Sequence, residues 1–167
     1  MTARTGSLAA SVIFGLLVST GTAFAQADAR SLYDRLGGRA AIDAAVKDFI
    51  GRALADARIN RKFAKSDPDR LTSALTQQIC AATGGPCKYT GRAMREAHHN
   101  MGVTDGEFAA LVEDLGASLD HLKVPAKEKG ELLAALAPMK PEIVETKGAT
   151  TGTPLPHNFV PWKKPPA

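Results

Sequence analysis

Two groups of residues in this sequence have the types and spacing to do chemistry. The stretch MREAHHNMG, residues 94–102, carries His98 and His99, half of the chain's four histidines. A neutral imidazole near physiological pH serves as a metal ligand or as an acid–base group. Successive helical residues point about 100° apart, so the two histidines cannot serve one site if the stretch is helical. The second group is Cys80 and Cys87, the only cysteines, which flank AATGGP. Across a Gly-Gly-Pro turn in an oxidising compartment they are candidates for a disulfide, whose Cα atoms lie about 5.5 Å apart, or else remain two structural thiols. Their spacing matches neither a CxxC redox pair nor a CxxCH attachment motif, and a zinc site would need further ligands nearby.

The elements that must position these residues are helices. AAIDAAVKDFIGRAL, after the Gly37-Gly38 break, places Ile42, Val46, Phe49, Ile50 and Ala53 at helical spacing. In DPDRLTSALTQQICAAT, Asp67 caps a helix with Pro68 in its first turn, and Leu71, Ala74, Leu75, Gln78, Ile79 and Ala82 share a face. A short helix is expected from about residue 91 to 99. With helical phase over 92–101, Met94, Ala97, His98 and Met101 form the inward face, while His99 shares a charged side with Arg92, Arg95 and Glu96. On pattern alone His98 is either a hydrogen-bonded core residue or a ligand. Thr104 and Glu107 form a capping box that opens a helix with Phe108, Leu111, Val112, Leu115 and Leu119 along its stripe. Pro125 starts the last helix, with Leu132, Leu133, Leu136 and Met139 inward and Pro138 and Pro141 disturbing its end. The fold class is all-α, two helix pairs joined by a loop-rich connector.

The flanks differ from this core. Residues 1–25 combine Arg4, an apolar run from Leu8 to Val18, and small residues at Ala23 and Ala25. This is the form of a cleavable secretory signal, and the apolar run is shorter than the ~20 residues of a membrane span. Export to a bacterial periplasm is therefore expected, with no stable span after cleavage. Residues 146–167, rich in Thr, Gly and Pro, read as a disordered tail in which Phe159 and Trp162 are candidate anchors and His157 has no second ligand in view. The 167 residues carry a net charge of +4, but the cations are interspersed with acids and no basic stripe alternates with aromatics. Nucleic-acid binding is not expected.

LYDRLGGRAAIDAAV, GGPCKYTGRAMREAHHNMGVTDGEFAALVEDL and VPAKEKGELLAALAPM, taken in this order, resemble the truncated hemoglobins of group 1 over residues 31–145. The resemblance implies a truncated globin, a two-over-two helical sandwich around heme b. It makes His98 the proximal ligand of heme iron, with Nε2 on the metal and Nδ1–H donating to a backbone carbonyl or water. It places Phe63 against the porphyrin and Tyr89 on the connector where propionates emerge, beside Lys88 and Arg92, and it includes Met94 and Phe108 among the cofactor-binding residues.

Departures from the family are specific. The tyrosine that commonly follows the phenylalanine of the second helix is Ile50 here, and the glutamine frequent on the next helix aligns with Leu75. The distal pocket implied is Ile50, Leu71 and Leu75, without a hydrogen-bond donor. Gln77 and Gln78 lie close enough for a slipped or distorted helix to bring one inward. A hydrogen bond to a charged acceptor contributes about 1.5 to 3 kcal/mol, so its loss weakens O2 retention by roughly tenfold or more, while CO and NO depend on it less. The function expected is reversible binding of diatomic gases, O2, NO and CO. NO dioxygenation or peroxidase-like turnover would need an electron source. The alternative is a periplasmic electron-transfer or heme-handling module with a redox partner, and a third reading keeps the helical frame as an interaction domain without heme.

Overall fold

The computed structural model describes residues 30–161; the expected signal at 1–25 and Trp162 lie outside them. Seven α-helices follow in order: α1 (Leu32–Arg35), α2 (Gly38–Ala55), α3 (Pro68–Ala82), α4 (Met94–His98), α5 (Asp105–His121), α6 (Ala126–Leu136) and α7 (Lys140–Ile143). Short 3-10 turns occupy Asn60–Phe63 and Ala137–Met139. The described residues contain no β-strand, only a parallel bridge between Thr104 and Thr146.

The helix ends follow from local chemistry. Asp67 accepts from the Asp69 and Arg70 amides, with Pro68 filling the first position of α3, where its missing N–H costs nothing. Thr104 and Glu107 bond reciprocally in a complete capping box at the start of α5. Pro138 and Pro141 break the last helical stretch into α6, a 3-10 turn and α7. The helix carrying the two histidines is shorter than its pattern suggests. It ends at His98, because Asn100 (φ 60°) and Gly102 (φ 62°) take left-handed conformations that close it off within four residues.

Helix α2 is the centre of the packing, against α3 on one side and α5 on the other, while α6 packs on α5 and α1. Ile42, Val46, Phe49, Ile50 and Ala53 of α2 are buried with Ile59, Ile79, Cys80, Ala110, Leu115, Leu119 and Leu132. Val112, expected on the stripe of α5, is exposed instead. Arg35 ties α1 to α6 by ion pairs with Glu128 and Glu131. Cys80, fully buried, and Cys87 are joined in a disulfide with a Cα separation of 5.7 Å, which fastens the end of α3 to the connector before α4.

Residues 146–161 have no helix or strand, but they are not the loose tail that their composition suggests. The Asp105 and Gly106 amides donate to the carbonyls of Thr146 and Gly148, and the Gly152 amide to that of Arg58. The Thr104 hydroxyl donates to the Thr150 carbonyl, and Thr153 gives both its amide and its hydroxyl to Glu107. Backbone bonds to fixed partners hold this segment, and such bonds leave no trace in composition.

Candidate functional site

The site is built around α4, five residues long with no side-chain cap at its N-terminus. Helices this short are marginal by themselves, and neighbours hold this one. Arg92 donates to the carbonyls of Glu96 and Ala97, and the Glu145 carboxylate accepts from the amides of Asn100 (2.8 Å) and Gly102 (2.6 Å) just past the helix. His98 is half-buried on the inner side, whereas the His99 side chain is 71% exposed and 3.9 Å from Glu145.

The His98 ring nitrogens are distinguishable. Nδ1 lies 2.9 Å from the Met94 carbonyl oxygen, which can only accept, so Nδ1 carries the proton and Nε2 has a bare lone pair. Burial pushes the His98 pKa below its ordinary value, outweighing the opposing bond to Met94, so the ring is neutral at pH 7. Nε2 has no hydrogen-bond partner among the described residues, which also hold no cluster of three or more metal-binding side chains. The arrangement leaves a single neutral imidazole whose Nε2 could bind a metal.

The other sequence-expected residues fall into three groups. Ile50 is buried in the core of α2, and Phe63, Leu71 and Leu75 pack on that core while staying half-exposed. Met94 is half-buried, and its sulfur accepts from the amide of Gln78 at 3.3 Å; the same amide meets the Met139 sulfur at 3.1 Å. Phe108 is half-buried on α5, with the Lys140 ammonium 5.7 Å from its ring centroid. Tyr89 belongs to none of these. Its hydroxyl donates to the Arg92 carbonyl at 2.9 Å, inside its own connector, and burial raises its pKa.

Gln78 modifies the expectation of a pocket without donors. Its amide is buried one turn along α3 from Leu75 and turned toward Met94 and Met139; Gln77 is half-buried and donates to Ser73. Lys62, adjacent to Phe63, was not singled out by sequence reasoning. It is 5% exposed, and its ammonium donates to the carbonyls of Met101, Gly102 and Pro154, with Glu107 at 3.5 Å. A lysine in a polar stretch carries no sign of burial in its sequence context. An apolar cavity of about 290 Å³ lies elsewhere, lined by side chains that include Ile42, Val46, Ile79, Leu115 and Leu132, and it contains none of the residues named above for the site.

Comparison with known proteins adds to this geometry. Residues 31–145 match the family model of the bacterial-like globins. The group 1 truncated hemoglobin GlbN of Mycolicibacterium paratuberculosis is 36% identical over 120 residues, 72% of this chain and 88% of that protein. GlbN of a Synechocystis species is 40% identical over 108 residues, 62% and 87% of the two chains. Among solved structures, the Fe(III) truncated hemoglobin of Tetrahymena pyriformis is similar with a TM-score of 0.67 at 32% identity, over 70% of this chain and all of that one. The 2/2 hemoglobin of a Synechococcus species, solved in the cyanomet state with covalently attached heme, gives 0.66 at 33% identity, over 70% and 100% of the chains.

Proposed function

Because this chain belongs to the bacterial-like globin family, as a group 1 truncated hemoglobin, we propose that it binds heme b through His98 and takes a diatomic gas on the opposite face. Heme is the cofactor of this family, and the helical frame is the two-over-two sandwich of its solved members. When bound, heme would supply an iron held by the His98 imidazole and able to take a diatomic gas.

The side chains present fit that group. His98 offers a bare Nε2, and its bond to the Met94 carbonyl fixes both tautomer and ring orientation, the usual requirement for a metal-bound imidazole. Phe63, Met94 and Phe108 offer half-buried apolar surface of the kind a porphyrin face covers. Ile50, Leu71 and Leu75 offer apolar side chains without a donor for the gas side, and the Gln78 amide one turn on from Leu75 is committed to the Met94 and Met139 sulfurs, so O2 would gain less than CO and NO unless that amide turns. Tyr89 contributes through the connector rather than by its hydroxyl, which is already committed.

The single observation that carries this reading is the His98 ring itself: half-buried, neutral, tied at Nδ1 and bare at Nε2, within the matched residues 31–145. The apolar run and the Ala23-Phe24-Ala25 site support export to the periplasm as part of the same reading. The test is a hemin titration of the chain with absorption spectra of the ferric, ferrous and CO forms, beside His98→Ala and His99→Ala. One-to-one binding altered only in His98→Ala is expected. Loss in His99→Ala alone, or no binding by the parent, refutes the assignment. Recovered from an exporting host, the protein is expected to start at Gln26; a chain that keeps Met1 refutes the export.

A further inference from the structure

We propose that residues 146–156 are a strap that positions His98 by clamping the loop behind it, residues 99–103. The inference rests on the reading of His98 as the heme ligand, but its physical basis is independent of any cofactor.

The loop is held from two sides. Glu145 accepts from the amides of Asn100 and Gly102, and the Met101 amide returns to the His98 carbonyl at 3.1 Å, so loop and helix move together. Lys62 takes the carbonyls of Met101 (2.8 Å) and Gly102 (3.2 Å) on the other side. The third carbonyl on that ammonium, Pro154 at 3.3 Å, comes from the strap. The ring of Pro156 covers Gly102, where an added Cβ would meet its Cγ at 3.5 Å.

The strap has its own anchor. Glu107, 2% exposed, accepts both the amide and the hydroxyl of Thr153 while its other oxygen accepts from the Thr104 amide and lies 3.5 Å from Lys62. Strap, Glu107, Lys62 and loop thus form one buried polar network in which each charge has its partners. Such a network holds a single geometry because any displacement strands a buried charge. The strap lies outside residues 31–145, so this positioning is an addition to the matched globin domain. Lys62 and Glu107 are positioning residues, acting on His98 through the loop.

Gly106 allows a selective test. It sits in the first turn of α5, and a Cβ there would collide with the Ala149 carbonyl of the strap. Alanine is the better helix former, so Gly106→Ala displaces the strap without penalising α5. Thr153→Val, which removes the hydroxyl bond to Glu107, is the milder companion. Hydrogen exchange is read in the heme-free full-length protein at Ala97 and Met101, with Val46 and Ile79 as core references. Hemin transfer to apomyoglobin and the ferrous iron–histidine stretching band are read in the loaded protein.

Exchange at Ala97 and Met101 roughly tenfold faster in Gly106→Ala, as loss of one or two hydrogen bonds gives, is expected, with a smaller rise in Thr153→Val. The core references stay unchanged, hemin leaves faster, and the stretching band shifts or broadens. Unchanged exchange at Ala97 and Met101 in both variants overturns the proposal, as does equal acceleration at Val46 and Ile79, which would make the strap a general stabiliser. If the parent binds no hemin, the heme reading falls, and the exchange rates still decide whether the strap holds the loop.

Discussion

Removal of the charges on Glu107 and Lys62 together is expected to cost less than the sum of the two separate losses. The Lys62 and Glu107 side chains are 5% and 1% exposed, with 3.5 Å between Nζ and Oε2. At an effective dielectric constant of about 20, two unit charges at that distance attract by roughly 5 kcal/mol before desolvation is counted. Desolvation consumes most of that, so the pair adds little net stability, yet breaking it strands an ammonium that needs an anion. Glu107→Gln has one oxygen for two tasks: facing Thr153 it turns an amide NH2 toward Lys62, and facing Lys62 it turns that NH2 toward the Thr153 amide, and either should cost about 3 kcal/mol. Lys62→Met leaves the buried Glu107 carboxylate without its cation and the carbonyls of Met101, Gly102 and Pro154 without their donor, and should also cost about 3 kcal/mol. The double variant has no stranded charge, and its loss should be smaller than the sum of the two single losses by at least ~1 kcal/mol. Urea unfolding followed by circular dichroism at constant m-value measures all four corners of the cycle. Additivity within about 0.5 kcal/mol would refute the reasoning, because it would mean that the two charges do not sense each other.

Two other perturbations test parts of the frame. Replacing both Cys80 and Cys87 by alanine removes a short loop closure, worth about 2 to 3 kcal/mol in the chain-entropy model; a loss below about 1 kcal/mol in urea unfolding would show that the bridge constrains little. Asp48 is held below the ordinary carboxylate pKa by the Ser118 hydroxyl first and then by the Arg52 guanidinium. A depressed folded pKa gives stability that is present above the unfolded value and lost as pH falls through the folded one. Thermal unfolding from pH 7 down to about 2 should therefore show Asp48→Asn well below the parent at neutral pH, with the gap closing in acid. A gap that stays constant with pH would refute that sign.

Much of the frame could be read from the chain because its signals are periodic or local. The caps at Asp67 and Thr104 each need only a few neighbouring residues. The phase that separates His98 from His99 needs a single turn of helix. What escaped depends on partners distant in sequence. Glu107 reads as an ordinary capping-box carboxylate, and nothing nearby announces that Thr153, 46 residues on, will bury it. Lys62 pairs with carbonyls 39, 40 and 92 residues away. Backbone acceptors have no residue identity, so no composition or spacing encodes them. The short span of α4 escaped for a related reason: the apolar period continues to Met101, but the backbone turns at Asn100.

The brevity of α4 has a kinetic consequence. A five-residue helix has too few internal bonds to persist alone, so its order is borrowed from its surroundings. Its opening is a local event that need not disturb α2, α3 or α5, where the buried core resides. On the proposed role of His98, the residence time of heme is therefore set by a different barrier from the one that governs melting. Two variants of this protein with the same melting temperature can then differ widely in how long they keep the proposed heme, and only a dissociation experiment will separate them.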